Sequence, residues 1–102
     1  FKVLNHTIEV KEIPDLPELG KTGDWDADRN EIRLFTNGVH DDVILHTYYH
    51  ELFHCLLDKA GYPELSSDEV LADHLGGLMA QVLNKLNLIY FMMKILQNKI
   101  LI

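Results

Sequence analysis

The residues of this 102-residue chain whose types and spacing could do chemistry are His50-Glu51-Leu52-Phe53-His54. On a helix, positions four apart lie one turn apart on the same face, so both imidazoles can reach one metal ion. Glu51 lies beside them, where it could take a proton from a metal-bound water. The chemistry that suits this set is hydrolysis by a zinc-activated water.

Catalytic zinc usually takes three protein ligands and a water, so the reading turns on a third donor. Three positions after His54 stands Leu57, and no His follows at the sixth, which excludes the extension H-E-x-x-H-x-x-G-x-x-H. Glu69 follows His54 with fourteen residues between them, across a turn at Gly61 and Pro63. A helix-turn-helix of that length folds the start of the second helix against the middle of the first. The outcome is a two-His, one-Glu set: His50, His54 and Glu69. Asp73, one turn beyond Glu69, is then placed to accept the outer N–H of a ligand His and fix its tautomer. The same stretch has a plainer reading, since Ser66-x-x-Glu69 is also a capping box. Asp68, Asp58 and His74 are rival ligands. Asp58 continues the polar stripe His46, His50, His54 but sits a full turn past His54. His74, next to Asp73, points elsewhere if Glu69 and Asp73 share a face. His46, His40 and His6 read as solvated or structural, although any could donate to a developing oxyanion.

These side chains need elements to hold them. The pattern Ile8-Glu9-Val10-Lys11-Glu12-Ile13 partly alternates, as a half-buried strand does, and Pro14 and Pro17 end it. Residues 16–23 form a connector. Residues 21–35 read as a hairpin, a short strand near Trp25 pairing with the strand that carries Ile32 and Leu34. Asp24, Asp26 and Asp28 imitate the start of a calcium loop, but Arg29 and Phe35 fall where its Gly and Glu belong, so an acidic turn is expected. The first helix spans 43–60, capped by Asp41 or Asp42, with Gly61 as its left-handed stop and Leu45, Tyr49, Leu52 and Leu56 as its core stripe. The second helix opens at Ser66 and runs to about 84 or beyond, with Leu71, Leu75, Leu78 and Val82 as its apolar stripe. Gly76 and Gly77 weaken that helix and are expected to admit another backbone. The fold class is therefore α+β in one domain: residues 1–40 mainly β, an active-site helix over 41–61, a glutamate helix over 66–85 and an apolar tail over 86–102.

Composition excludes several classes. At 47% hydrophobic and 25% charged the chain is an ordinary globular one. A net charge of -7, with nine scattered basic residues, disfavours nucleic acid as a partner. Cys55 is the single cysteine, so no intrachain disulfide forms, a reducing compartment fits, and the thiol reads as apolar filler. No charged-then-apolar leader stands at the start, which supports a cytoplasmic expectation. The chain opens on Phe1 rather than Met, as a piece of a longer protein would. The tail is too short and too interrupted by charge for a membrane span. It reads as a third helix, packed on the core or on a second copy as a homodimer, or else as a cover over the cleft.

Thr47-Tyr48-Tyr49-His50-Glu51-Leu52-Phe53-His54, followed by Gly61 and then Leu65-Ser66-Ser67-Asp68-Glu69-Val70, resembles small phage- and prophage-encoded zincin-like metallopeptidases. Glu69-Val70-Leu71-Ala72-Asp73 is similar to the E-x-x-[SA]-D element of gluzincins, and more distantly the two helices resemble ImmA/IrrE-type peptidases. The resemblance covers about residues 20–84 and is specific in the two motifs. It implies a minimal zincin with zinc at His50, His54 and Glu69, Glu51 as general base, a peptide or protein substrate, and a bacterial cytoplasm as its setting. The chain departs from larger gluzincins in lacking the subdomain that carries their oxyanion-stabilising Tyr/His pair; Tyr62, Tyr48 and His40 are the substitutes on offer. Two other classes stand beside the peptidase: a catalytically weak or inactive zinc-binding regulatory module, and a metal-free domain in which Glu69 is a cap.

Overall fold

A computed structural model describes residues 1–14 and 20–101, with the side chains of 84–91 and 98–101 outside that description. Residues 16–19 of the expected connector thus lie outside the described residues. Those described form five strands and three helices in an α+β arrangement. β1 (Lys2–Val3) and β2 (His6–Thr7) make a miniature hairpin, turning through Leu4 and Asn5 at positive φ. β3 (Glu9–Ile13), β4 (Gly23–Asp26) and β5 (Glu31–Phe35) form a second sheet in the order β3-β5-β4.

β4 and β5 are the expected hairpin, with Trp25 opposite Ile32. Its loop is the expected acidic turn, since the Asp26 carboxylate accepts from the backbone N–H groups of Asp28 and Arg29. β5 is central, parallel to β3 and antiparallel to β4. Residues 31–35, which alternate as a strand that could offer its edge to an extended peptide, are instead paired on both sides, and the edges of the sheet are β3 and β4. Spacing along a strand tells which face is buried and says nothing of how many neighbours it has.

α1 (Asp41–Lys59) packs against β4 and β5. It starts two residues earlier than expected, and its N-cap is His40, whose Nδ1 accepts from the Asp42 N–H at 3.2 Å. Asp41 and Asp42 sit in the first turn, where they still oppose the dipole's positive end. Gly61 ends the helix at φ +88°. The core is Ile8, Ile32, Leu34 and Cys55, with Trp25, Ile44, Tyr48 and Leu52 packed on it. Each fully buried aliphatic contributes about 1.5–3 kcal/mol. Of the expected stripe of α1, only Leu52 joins this core. Ile44, Tyr48 and Cys55 replace the others, because α1 meets the sheet on one side and a second helix on another, and a single stripe cannot serve both.

α2 (Pro63–Ser66) is one turn, and α3 (Glu69–Leu101) runs antiparallel along α1. α3 is capped by Asp68, whose carboxylate accepts from the Leu71 N–H at 3.0 Å, and not by Ser66. The boundary expected near residue 85 does not exist: glutamate helix and apolar tail are one helix of 33 residues. No Pro or Gly lies between Leu78 and Ile102 to break it. At 1.5 Å per residue it is about 50 Å long, close to the longest dimension of the molecule, 52 Å.

Candidate metal centre

His50, Glu51 and His54 lie in the middle of α1, and the turn at 61–68 brings α3 back so that Glu69 faces them. His50 Nε2 is 3.1 Å from His54 Nε2 and 3.0 Å from a Glu69 carboxylate oxygen; the other Glu69 oxygen is 3.3 Å from His54 Nε2. Glu51 is buried, its carboxylate 3.9 Å from His50 Nε2. His54 is equally buried, whereas the Glu69 side chain is 74% exposed and closes the group from the solvent side.

The outer nitrogens fix the tautomers. His54 Nδ1 faces the Ser66 carbonyl oxygen, and His50 Nδ1 lies 3.3 Å from Asp73 Oδ1. Both partners can only accept, so each ring carries its proton on Nδ1 and turns the lone pair of Nε2 inward. Ser66, read from sequence as a cap, instead ties α2 to α1: its hydroxyl donates to the His54 carbonyl at 2.6 Å. Two inward lone pairs and a carboxylate aimed at one point repel one another unless a cation lies between them. Four ligands at zinc distances of about 2.05 Å stand roughly 3.3 Å apart, close to the spacing of these donors. The residues present therefore fit a zinc-sized cation.

The rival ligands are engaged elsewhere. Asp58 accepts from the Trp25 indole N–H at 3.2 Å, and Asp68 caps α3. His74 is exposed and joins no group of converging donors among the described residues. Cys55 is fully buried, and that burial pushes its thiol up to about 11, so it serves as core filler and not as a thiolate ligand.

Burial is also the largest influence on Glu51, raising its carboxyl above the ordinary range; His50 and His54 pull the other way, and Glu69 adds to the rise. A carboxylate that holds a proton readily beside a metal-sized gap is suited to proton transfer. Two cavities open on it. One, of about 490 Å³, is lined by Thr22, Val43, His46, Glu51 and Asp73. The other, of about 630 Å³, runs between β4 and the turn at Ser66 and Ser67. Tyr62, Tyr48 and His40 line neither. Tyr48 stacks on Tyr49 at 5.1 Å, and Tyr62 is exposed past the end of α1. Besides His50, the histidine lining the first cavity is His46, whose Nε2 lies 3.3 Å from both the Asp73 carbonyl and carboxylate. Its place one turn before His50 was the signal for it in the sequence.

The start of β4 is fastened to α1 by the hydroxyls of Thr22, just before the strand, and Thr47, 2.8 Å apart. Asp24, on β4, receives two hydrogen bonds from Arg33, at 2.7 and 2.6 Å. Burial acts to raise the Asp24 carboxyl, but Arg33 and Lys21 outweigh it and hold it below its ordinary value. No protein-family model, curated protein or solved structure matches the chain. The site therefore has to be read from its own geometry.

Proposed function

We propose that this chain is a zinc-dependent metallopeptidase of the H-E-x-x-H, two-His and one-Glu type. The observation that carries this reading is the convergence of His50 Nε2, His54 Nε2 and the Glu69 carboxylate, 3.0–3.3 Å apart, with Glu51 beside them. His50, His54 and Glu69 hold the metal, and Asp73 and the Ser66 carbonyl orient the two rings. Zinc bound there supplies a Lewis acid that polarises a water and the carbonyl of a bound peptide. Glu51 takes the proton of the attacking water on its carboxylate and returns it to the leaving amine. Its burial keeps that proton from bulk solvent between the two transfers. The substrate is an extended peptide laid against the unpaired edge of β4, where backbone groups give affinity without demanding a sequence.

The test pairs elemental analysis with peptide hydrolysis for the full chain, Glu51→Gln and Glu69→Ala. The reading expects one zinc per chain, retained in Glu51→Gln with turnover cut about 10²–10⁴-fold, and lost or weakened in Glu69→Ala. A zinc-supplemented chain that binds no metal would overturn it. Zinc in the full chain with no cleavage of an unstructured protein substrate would favour the inactive zinc-binding module.

A further inference from the structure

α3 leaves several of its large apolar side chains exposed. The face that meets α1 is made of small residues: Ala72 is fully buried, and Gly76 lies on the His50 backbone. Leu78 and Val82, expected from sequence to be core, are more than half exposed. Further along, Met93 is 60% and Leu96 57% exposed. Aliphatic side chains this exposed along one helix mark an interaction surface.

The spacing of the stripe indicates what covers it. Leu75, Met79, Val82, Leu86, Ile89, Met93, Leu96 and Ile100 follow one another at intervals of 4, 3, 4, 3, 4, 3 and 4 residues. This is an unbroken heptad seam with Leu75, Val82, Ile89 and Leu96 at one position and Met79, Leu86, Met93 and Ile100 at the other. A 3.5-residue period keeps a straight line facing a second helix; on an isolated helix the line drifts about 20° per heptad, which a left-handed supercoil takes up. The seam is centred about a quarter-turn round the helix from Ala72 and Gly76, the residues that meet α1. No polar residue interrupts the seam to reject a copy of itself, and identical stripes are self-complementary about a two-fold axis.

We propose that this stripe of α3 pairs with the same stripe of a second copy of the chain, forming a two-helix coiled coil that leaves both metal-binding clefts open. Over nearly four heptads such a pair buries on the order of 1,500 Å², within the range of specific interfaces. This inference is independent of the peptidase reading.

Sedimentation equilibrium of the full chain between about 1 and 100 μM tests it, a span in which interfaces of this size associate. The expected mass is twice that of the 11.8 kDa chain. Val82→Glu and Leu96→Glu should each give the single-chain mass with helix content by circular dichroism and metal content unchanged. Gln81→Glu, exposed and next to Val82, should remain dimeric. The milder pair Val82→Ala and Leu96→Ala should each weaken the dimer tenfold or more while keeping the helix. A full chain that stays at single-chain mass throughout the range overturns the proposal, whether or not it floats with phosphatidylserine vesicles. So does a dimer that survives both glutamate variants.

Discussion

Gly76 of α3 sits so close to His50 of α1 that a Cβ added to it would stand 2.7 Å from the His50 nitrogen and 2.8 Å from its Cα. Those atoms are backbone and cannot rotate aside. The contact sets the separation of the two helices at the level of the site, and so the reach of Glu69 and Asp73 toward the histidines. Gly76→Ala should cost about 1–3 kcal/mol through overpacking, despite alanine's better helix propensity, and should weaken zinc binding. Gly77→Ala is the comparison. Its Cβ would meet the His46 ring at 3.4 Å, a flexible side chain, so it should be neutral or stabilise the fold by up to ~1 kcal/mol. Urea denaturation and zinc competition titration of the two variants check this.

Asp73 lies between His46 and His50 and accepts at the outer nitrogen of a candidate ligand. Asp73→Asn keeps the shape but weakens the hold on the His50 tautomer. Zinc affinity should fall roughly 10–100-fold, the usual loss when such an orienting carboxylate is removed. A fluorescent chelator titration measures it. Unchanged affinity would mean that the 3.3 Å contact does not orient the ring.

Glu51 carries opposite demands for chemistry and for stability. Its folded carboxyl is raised, first by burial, so the native chain holds that proton to higher pH than the unfolded chain does. Stability therefore falls as pH rises from the ordinary carboxylate value through the raised one, and the full cost is present above that window. Glu51→Gln removes the cost. Without metal, it should raise the melting temperature more at pH 7 than at pH 4, while turnover falls about 10²–10⁴-fold. Thermal melts at the two pH values, in chelator, test the sign.

Asp24 works the other way. Burial raises its carboxyl, but Arg33 and Lys21 outweigh that, and the folded value lies below the unfolded one. Its contribution is present above the unfolded value and is lost as pH falls through the folded one. Asp24→Asn should cost about 1 kcal/mol at neutral pH, a charge-assisted pair discounted for partial exposure, and progressively less in acid. Chemical denaturation across pH follows it. Because Asp24 lies on β4, the variant should also loosen the edge that we assign to peptide binding.

Local geometry was legible from the chain alone. The i, i+4 histidines, the glutamate between them, the left-handed stop at Gly61, the hairpin pairing Trp25 with Ile32 and the close approach at Gly76 all follow from rules acting within a few residues. So did the placement of Glu69 and Asp73, because the turn between the helices is short and fixes where the second must return. What only the tertiary structure decided is which neighbour each face meets. The order β3-β5-β4 put β5 in the middle and left β3 and β4 at the edges, since pairing partners come from distant segments. Helix α1 turned Ile44, Tyr48 and Cys55 to the sheet, because a helix packed on two sides divides its apolar residues between them. Ser66 anchors His54 instead of capping α3, and Leu78 and Val82 of α3 face outward while Ala72 and Gly76 face in. Periodicity identifies an apolar face, but burial depends on surfaces brought together from elsewhere in the chain.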